Sequence, residues 1–443
     1  MPSSAEIAVI RGGVSGQVES VISRGDKLMV GRAARVCPCW VHASVVLVLF
    51  LTCVVFSAPA QKTADNPQVV IAIGDVHGDF DDFCLILKRV GVVDEKLHWA
   101  GGHATLVQMG DLLDRGPKER EALDLMRILE DEAAKAGGRV VSLLGNHEAM
   151  NLMGDLRYVT PELYASFSGP DSEARRKAAY QEFVKWRKNN DHLLQATHDP
   201  MFDITELQWM SNHPLGFIEQ RESFAPSASY GNWVRKRPAV AKVSGILFAH
   251  GGIAPEIAAM KIEEINERIR DEMSLFDDIK QYLIAEKLIL PFFTLPEITA
   301  MVKNVYVAGN QTKDPADQKR MARLAPYLKL STWLCIREDG PLWFRGYDEW
   351  SETQGTPLVE KILSAYDASN IVVGHTVQKV AHIRSRFDGR VFLIDTGMVA
   401  GSAHGGAASA LKIEGADKFT AVYLDGQETL LDRETATPVS KDK

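Results

Sequence analysis

An α/β fold is what the amino-acid sequence predicts, and three observations carry the prediction. Short apolar runs alternate with amphipathic stretches in which apolar residues recur at i, i+3, i+4 and i+7. Gly-containing loops follow several of the apolar runs directly, the pattern of a layered α/β core whose loops gather at the C-terminal ends of its strands. The composition is that of an ordinary folded chain: 443 residues, 46% hydrophobic, 24% charged and 8% aromatic, with 50 Lys+Arg against 58 Asp+Glu for a net charge of −8. These averages exclude disordered, collagenous and repetitive classes. The acidic balance argues against non-specific nucleic-acid binding, which needs a basic footprint.

Residues 1–60 belong to a different regime. Ala43–Phe56 is an uncharged run, with Arg32 and Arg35 before it and Ala58-Pro59-Ala60 after it. A basic region, a short apolar core and a small-residue cleavage site make up a secretory signal peptide. The run is shorter than the roughly 20 apolar residues that span a bilayer. The expectation is an N-terminal extension, translation from Met29, and a signal cut near Ala60 that leaves an exported chain, periplasmic or extracellular. An uncleaved signal anchor is the alternative and the only route to a membrane association; N-terminal sequencing of the native protein separates the two. The cut removes five Lys/Arg and three Asp/Glu and leaves a net charge of −10. It also leaves only Cys84 and Cys335, too few for a disulfide framework and without metal-site spacing.

Val69–Ile73 (VVIAI) suits a buried strand ending at Gly74, and Phe80, Phe83, Cys84 and Leu87 then mark one face of a helix that takes Cys84 inside. Asp79, Asp81 and Asp82 stand at the start of that helix, where its dipole favours carboxylates. Thr105–Met109 is a second strand. Lys118–Ala136 is a helix with Ala122, Leu125, Met126, Leu129 and Ala133 on one face, stopped by Gly137-Gly138. Val140–Leu144 is a third strand. Residues from about 155 to 240 break the alternation with a charged helix, Glu173–Lys188, and a Trp/His/Pro-rich stretch. They read as an inserted cap over the site, not as an independent domain. Arg235 and Arg237 within it read as a solvated basic face, with the substrate entrance as the alternative. Strand-like runs return at 245–249, 370–373, 390–394 and 420–424, with charged helical segments filling 255–328. The boundaries are an extension to 60, one enlarged domain over 61–430, and a tail over 431–443.

Three of the strands end in GDVHG (74–78), GDLLDRG (110–116) and GNHE (145–148), with 36 residues from Asp75 to Asp111 and 35 from Asp111 to Asn146. Two later strands end in histidine, at His250-Gly251-Gly252 and Gly374-His375-Thr376. Asp, Asn and His without thiolate form an oxygen and nitrogen donor set that favours Mn²⁺, Fe²⁺ or Zn²⁺. Any one of these motifs also occurs as a simple turn. All five in order, each at a strand end, are hard to produce by packing needs alone.

The series GDxHG, GDxxDRG, GNHE, HGG and GHT resembles the calcineurin-like metallophosphoesterases, in particular the phosphoprotein phosphatase family, over about 69–424. GNHEAMNLMGDLRYV, HPLGF with YGNWVRKRPAV, and IDTGM look most like its Shewanella-like protein phosphatase branch. The resemblance implies a layered α-β-β-α sandwich of the metallo-dependent phosphatase type with an inserted helical cap. It also implies two divalent metal ions. Asp75 and His77 would hold the first, Asp111 would bridge, and Asn146, His250 and His375 would complete the second. Two ions roughly 3.5–4 Å apart can share a hydroxide that attacks the phosphoryl group in line. His147 is then the implied general acid, with Asp114 on its other ring nitrogen. Arg115 is the first phosphoryl ligand and Arg345 the choice for the second, with a surface salt bridge as the alternative for Arg345; Asn146 also faces the substrate. Where the eukaryotic toxin-sensitive enzymes carry a SAPNYC-type loop, this chain has Ile394–Met398 and a Gly-rich stretch, so toxin sensitivity and strict Ser/Thr preference do not carry over.

The resulting expectation is a metal-dependent phosphomonoesterase acting on phosphotyrosine, phosphoserine or phosphothreonine in proteins, or on small phosphomonoesters. The alternatives are a nucleotide or dinucleoside polyphosphate hydrolase, a broad phosphate-scavenging phosphatase, and a degenerate binding module. The last is disfavoured because every ligand position is filled.

Overall fold

The computed structural model describes residues 68–195, 197, 200–312, 314–401, 405–433 and 435. The signal-peptide reading and the boundary at residue 60 lie outside them, as does most of the expected tail. The first half of the domain runs β1 (Val69–Ile73), α1 (Phe80–Arg89), β2 (Thr105–Gln108), α2 (Glu119–Lys135), β3 (Arg139–Ser142) and α3 (Asn146–Met153). The insertion holds α4 (Pro161–Phe167), α5 (Ser172–Asn189), α6 (Asp191–Leu194), α7 (Glu206–Asn212), α8 (Phe217–Ser223) and α9 (Ser229–Arg235). There follow β4 (Val240–Val243), β5 (Ile246–Ala249), α10 (Ile262–Ala285), α11 (Leu295–Asn310), α12 (Pro315–Leu324), α13 (Gly346–Glu349) and α14 (Glu352–Ala365). The chain closes with β6 (Asn370–Val373), β7 (Arg384–Arg386), β8 (Val391–Leu393), β9 (Ser409–Glu414), β10 (Lys418–Tyr423) and β11 (Gln427–Asp432).

Two sheets result, in the orders β11-β10-β9-β1-β2-β3 and β4-β5-β6-β8-β7. The alternation of β1 explains how they stack. Val70 and Ala72 join Val107 and Met109 of the first sheet side to Phe248, Val372 and Phe392 of the second in one apolar cluster. Phe392 and Phe419 stack across the interface with ring centroids 4.5 Å apart. Ile71 and Ile73 point the other way and cluster with Phe83, Leu87, Leu125 and Leu129 of α1 and α2. Each fully buried phenylalanine contributes about 1.5–3 kcal/mol of apolar burial. The α-β-β-α sandwich is therefore observed.

The helical periodicities translate directly. Phe83, Cys84 and Leu87 are buried in α1, and Asp79 caps it by accepting the Asp82 N–H at 3.2 Å. The five apolar positions read in the second helix are all buried in α2. The strands come out shorter than their apolar runs because side chains close the turns. Gln108, for example, both accepts from and donates to the Gly110 backbone, at 3.0 and 2.7 Å, and ends β2. β11 runs through Asp432, two residues past the boundary placed at 430.

Helices α4–α9 are not a separate lid. Trp186 of α5 donates to the Leu288 carbonyl at 3.0 Å and packs edge-on against Phe293, 4.7 Å between centroids. The insertion and the 262–310 segment are thus one helical body. Neither reading of Arg235 and Arg237 holds: both are largely buried in ion pairs, Arg235 bidentate to Asp277 at 2.7 and 2.9 Å, Arg237 to Glu130 while lying over Trp233. Cys84 and Cys335 are buried free thiols. No helix among the described residues is long and apolar enough to cross a membrane.

Candidate metal centre and active site

Three parallel strands of one sheet (β1, β2, β3) and three of the other (β5, β6, β8) end on the same edge of the sandwich. Each end carries one motif, so the two sheets bring Asp75, His77, Asp111, Asn146, His250 and His375 together. All six are buried.

The loops that carry them are strained and compensated. His77, Asp111, Asp114, Arg115 and His375 all have left-handed backbones, with φ between 51° and 68°. Each such residue costs of order 1–3 kcal/mol and persists only where its surroundings enforce it. Glu148 enforces Asp111: its carboxylate accepts the N–H groups of Asp111, Leu112, Leu113 and Gly145 at 2.7–3.3 Å. Glu119 accepts from Asp114 at 2.9 Å. Asp75 accepts the His375 N–H at 3.0 Å. Gly78 and Gly116 let two of the loops touch, since a Cβ on either would sit 2.5 or 2.4 Å from a carbonyl oxygen of the other loop.

The donor atoms converge. His77 and His250 donate Nδ1–H to the carbonyls of Leu113 and Met109, at 2.8 and 2.9 Å, which turns each Nε2 inward. Asp111 Oδ2 lies 3.6 Å from His77 Nε2 and 3.3 Å from His250 Nε2, and the latter is 2.8 Å from Asn146 Oδ1. Two sets of atoms cluster tightly enough for an ion, one from His77, Asp111 and His147 and one from Asp111, His250 and His375. Asp111 belongs to both, the position of a bridging ligand.

The fit to metal is electrostatic as well as geometric. Burial, with Asp395 and Asp111 nearby, pushes the Asp75 carboxyl well above its usual range. Burial and the neighbouring His250 and Arg345 push His375 down to about 2. A bound cation would offset both effects, since it favours the carboxylate and the neutral imidazole as ligands. His375 Nε2 and Asp395 Oδ2 are buried without any hydrogen-bond partner, as open ligand positions would be. These residues could hold divalent metal; the nature of the donor set is that of Mn²⁺, Fe²⁺ or Zn²⁺ sites.

His147 stands beside the cluster. Its Nδ1 is 2.6 Å from Asp114 Oδ2, and Asn151 holds the other Asp114 oxygen at 2.7 Å. Burial opposes charge on His147, yet Asp111 and the hydrogen bond to Asp114 outweigh it and raise the imidazole above its ordinary range. Its Nε2 lies 3.3 Å from the Arg115 guanidinium, which is exposed at the mouth. Arg345, also exposed, reaches the His375 carbonyl at 3.4 Å and the Thr376 hydroxyl at 3.3 Å. The salt-bridge alternative for Arg345 thus finds no acidic partner among the described residues.

Four participants were not read from the sequence. Glu148 and Asn151 brace the loops, and Tyr158 packs on the His147 ring, 4.9 Å between centroids, while accepting the Arg115 N–H at 3.1 Å. Asp395 follows β8 as Asp75 follows β1, so the strand-end rule that found the other ligands applied to it too.

A sandwich with metal-type donors at six strand ends defines a metal-dependent phosphoesterase. Residues 69–379 match the calcineurin-like phosphoesterase family, and the chain belongs to that family. Within it, the chain is like the Shewanella-like protein phosphatases: it is 27% identical to Shewanella-like protein phosphatase 1 of Plasmodium berghei, over 74% of this chain and 67% of that one. An uncharacterized Schizosaccharomyces pombe protein is 30% identical, over 81% of both chains. The fold is shared with the crystal structure of a cold-active protein-tyrosine phosphatase from a Shewanella species, with TM-score 0.51, 24% identity, and 82% and 80% of the two chains covered.

Proposed function

We propose that this phosphoesterase is a protein phosphatase that hydrolyses phosphomonoesters, with Asp75, His77, Asp111, Asn146, His250 and His375 holding two divalent ions. The observation that carries the reading is the buried His147–Asp114 pair, 2.6 Å apart, set against the donor cluster with His147 Nε2 3.8 Å from Asp111 Oδ2. When bound, the ions supply positive charge to the phosphoryl oxygens and a strong nucleophile from water at neutral pH. Asp114 holds Nδ1–H and favours the imidazolium. The imidazolium carries the proton at Nε2 for the leaving oxygen when Arg115 turns from His147 to the phosphoryl group. Arg115 orients the phosphoryl group from one side of the mouth and Arg345 from the other. Tyr158 offers an aromatic face beside His147 to a substrate ring. The apolar run at 43–56 supports placing this activity outside the cytoplasm.

A metal-supplemented panel of phosphotyrosyl, phosphoseryl and phosphothreonyl peptides, p-nitrophenyl phosphate and diadenosine tetraphosphate tests the reading. We expect at least one phosphopeptide to exceed the dinucleotide in kcat/KM by about tenfold or more, a discrimination of about 1.4 kcal/mol. Preference for the dinucleotide would move the chain to the polyphosphate hydrolases. A flat profile would make it a phosphate scavenger, and inertness with metal bound would leave a binding module.

Arg345→Ala should lower kcat/KM for an aryl phosphate by about 10- to 100-fold, the worth of a hydrogen bond to a charged group. Its ion content should hold. Unchanged kinetics would reduce Arg345 to a brace for the His375 loop.

A further inference from the structure

The helical body carries a half-open pocket of about 350 Å³ that is separate from the metal centre and lies between α5, α8 and α10. Such a volume accommodates a small organic ligand. Leu152, Ile218, Phe224, Ile284 and Phe292 make most of its wall apolar. Two cations in its wall, Arg221 and Lys280, make no direct ion pair among the described residues. Arg221 is 5% exposed; its Nη1 donates to the Asn151 carbonyl at 2.7 Å, and its Nε has no hydrogen-bond partner. Lys280 makes neither a hydrogen bond nor an ion pair among the described residues.

The nearby acids bond directly to other groups, although Glu297 still attracts both Arg221 and Lys280 from a distance. Asp277 takes both donors of Arg235, Glu222 pairs with Arg175, and Glu297 accepts from the backbone and hydroxyl of Thr294. Glu182 stands exposed at the rim. Burial and the adjacent Arg221 push the Lys280 ammonium down to about 7, although Asp277 opposes them. A buried cation without a direct partner is costly unless an opposite charge is supplied, which bears most on Arg221; Lys280 is half-buried.

The cavity also touches the chemistry. Leu152 in its wall follows Asn151 on α3. On α8, Gln220 donates to Asn151 Oδ1 at 2.7 Å, while Arg221 holds the Asn151 carbonyl. Asn151 in turn donates to Asp114, and Asp114 holds His147.

We propose that this cavity binds a small organic carboxylate with an apolar body, its head between Arg221 and Lys280, and that occupancy is sensed at His147 through Asn151. The singly charged planar head matches these two cations and the apolar residues receive the body, while the carboxylates of Glu182, Glu222 and Asp277 lie along the same wall. A phosphate dianion would meet those three carboxylates with twice the charge. The coupling rests on the phosphatase reading; the binding does not.

Calorimetric titration of the metal-loaded full-length chain with 4-phenylbutyrate tests the site. We expect one-to-one binding, affinity lower by at least about tenfold in Lys280→Gln, and none for the neutral 4-phenylbutyramide on the unmodified chain. The amide comparison needs no variant and so survives any folding defect in Lys280→Gln. Equal affinity in Lys280→Gln would put the carboxylate elsewhere, as on the metal ions, and overturn the site. Equal binding of the amide, competition by inorganic phosphate, or no binding would do the same. For the coupling, 4-phenylbutyrate should change kcat for p-nitrophenyl phosphate by about twofold or more at unchanged KM, and leave Lys280→Gln unresponsive. A rise in KM alone, the mark of competition at the metal centre, would overturn it.

Discussion

Replacing His147 by asparagine should lower kcat by about 10²- to 10⁴-fold while leaving the ion content close to that of the unmodified protein. Asparagine keeps a donor of similar reach toward Asp114 but has no proton of suitable pKa for a leaving oxygen. The backbone N–H of residue 147, which holds Asp111 Oδ1 at 3.0 Å, is untouched, so the bridging carboxylate stays in place. The size of the fall should follow the leaving group. A phosphoserine releases a strongly basic alkoxide and needs the proton most; p-nitrophenoxide leaves without much help and should show the smaller loss. The same variant addresses a competing role, because His147 also forms a tight cluster with His77 and Asp111. Were His147 a ligand, mass-spectrometric metal analysis would find ions missing from the variant. An equal fall for both leaving groups, with metal lost, would assign it to coordination.

The candidate metal donors were legible because each sits at the end of an apolar strand, where short-range pattern and chemistry coincide. Asp395 obeyed the same rule but lay in a segment read for its difference from a familiar loop. Glu148 and Asn151 are another matter. Their importance is that one carboxylate collects four backbone N–H groups from two loops, and one amide joins Asp114 to α8. Such bonds span 32 or more residues in most cases, and no local period announces them. The left-handed backbones at His77, Asp111, Asp114, Arg115 and His375 were hidden for the converse reason: local preference argues against them, and tertiary bonds override it.

The fold divided along the same line. Helices α1 and α2 and the parallel strands carry strong local signals, and most of the positions that the spacing named are buried; Phe80 is half-buried, and Ile86 and Leu123 are buried without having been named. β4, β7, β9 and β11 were missed; β9 pairs with β1 and β10, and β11 with β10 alone. β11 is an edge strand with exposed or half-buried residues and no apolar contrast to read. β9, directly after the Gly-rich stretch, does alternate buried Leu411 and Ile413 with half-buried Lys412 and Glu414. Arg235 and Arg237 show the limit of charge patterning, since only the fold reveals that Asp277 and Glu130 wait opposite them.

Asp111→Asn should have the opposite signature to His147→Asn: ions are lost first, and activity with them. Asp111 alone belongs to both donor clusters, with Oδ2 within 3.3–3.8 Å of three imidazole nitrogens and Oδ1 on the His147 N–H. Burial works against its charge, but the neighbouring histidines win and hold the carboxyl well below its usual range, so it is anionic and ready to bridge. An amide of the same shape can present only one oxygen, and its NH₂ group turns a ligand position into a donor aimed at the cation. We expect ion content to fall from two to one or fewer per chain. Activity should drop by about 10³-fold or more, because the charge stabilisation supplied by bound metal is worth several kcal/mol and each 1.36 kcal/mol is tenfold. Excess Mn²⁺ should recover part of the loss if the amide oxygen still binds weakly. In the double variant, loss of His147 should add little, since a proton donor has nothing to serve once the ions are gone. Full metal occupancy in Asp111→Asn, or simple multiplication of the two losses, would show that Asp111 does not bridge.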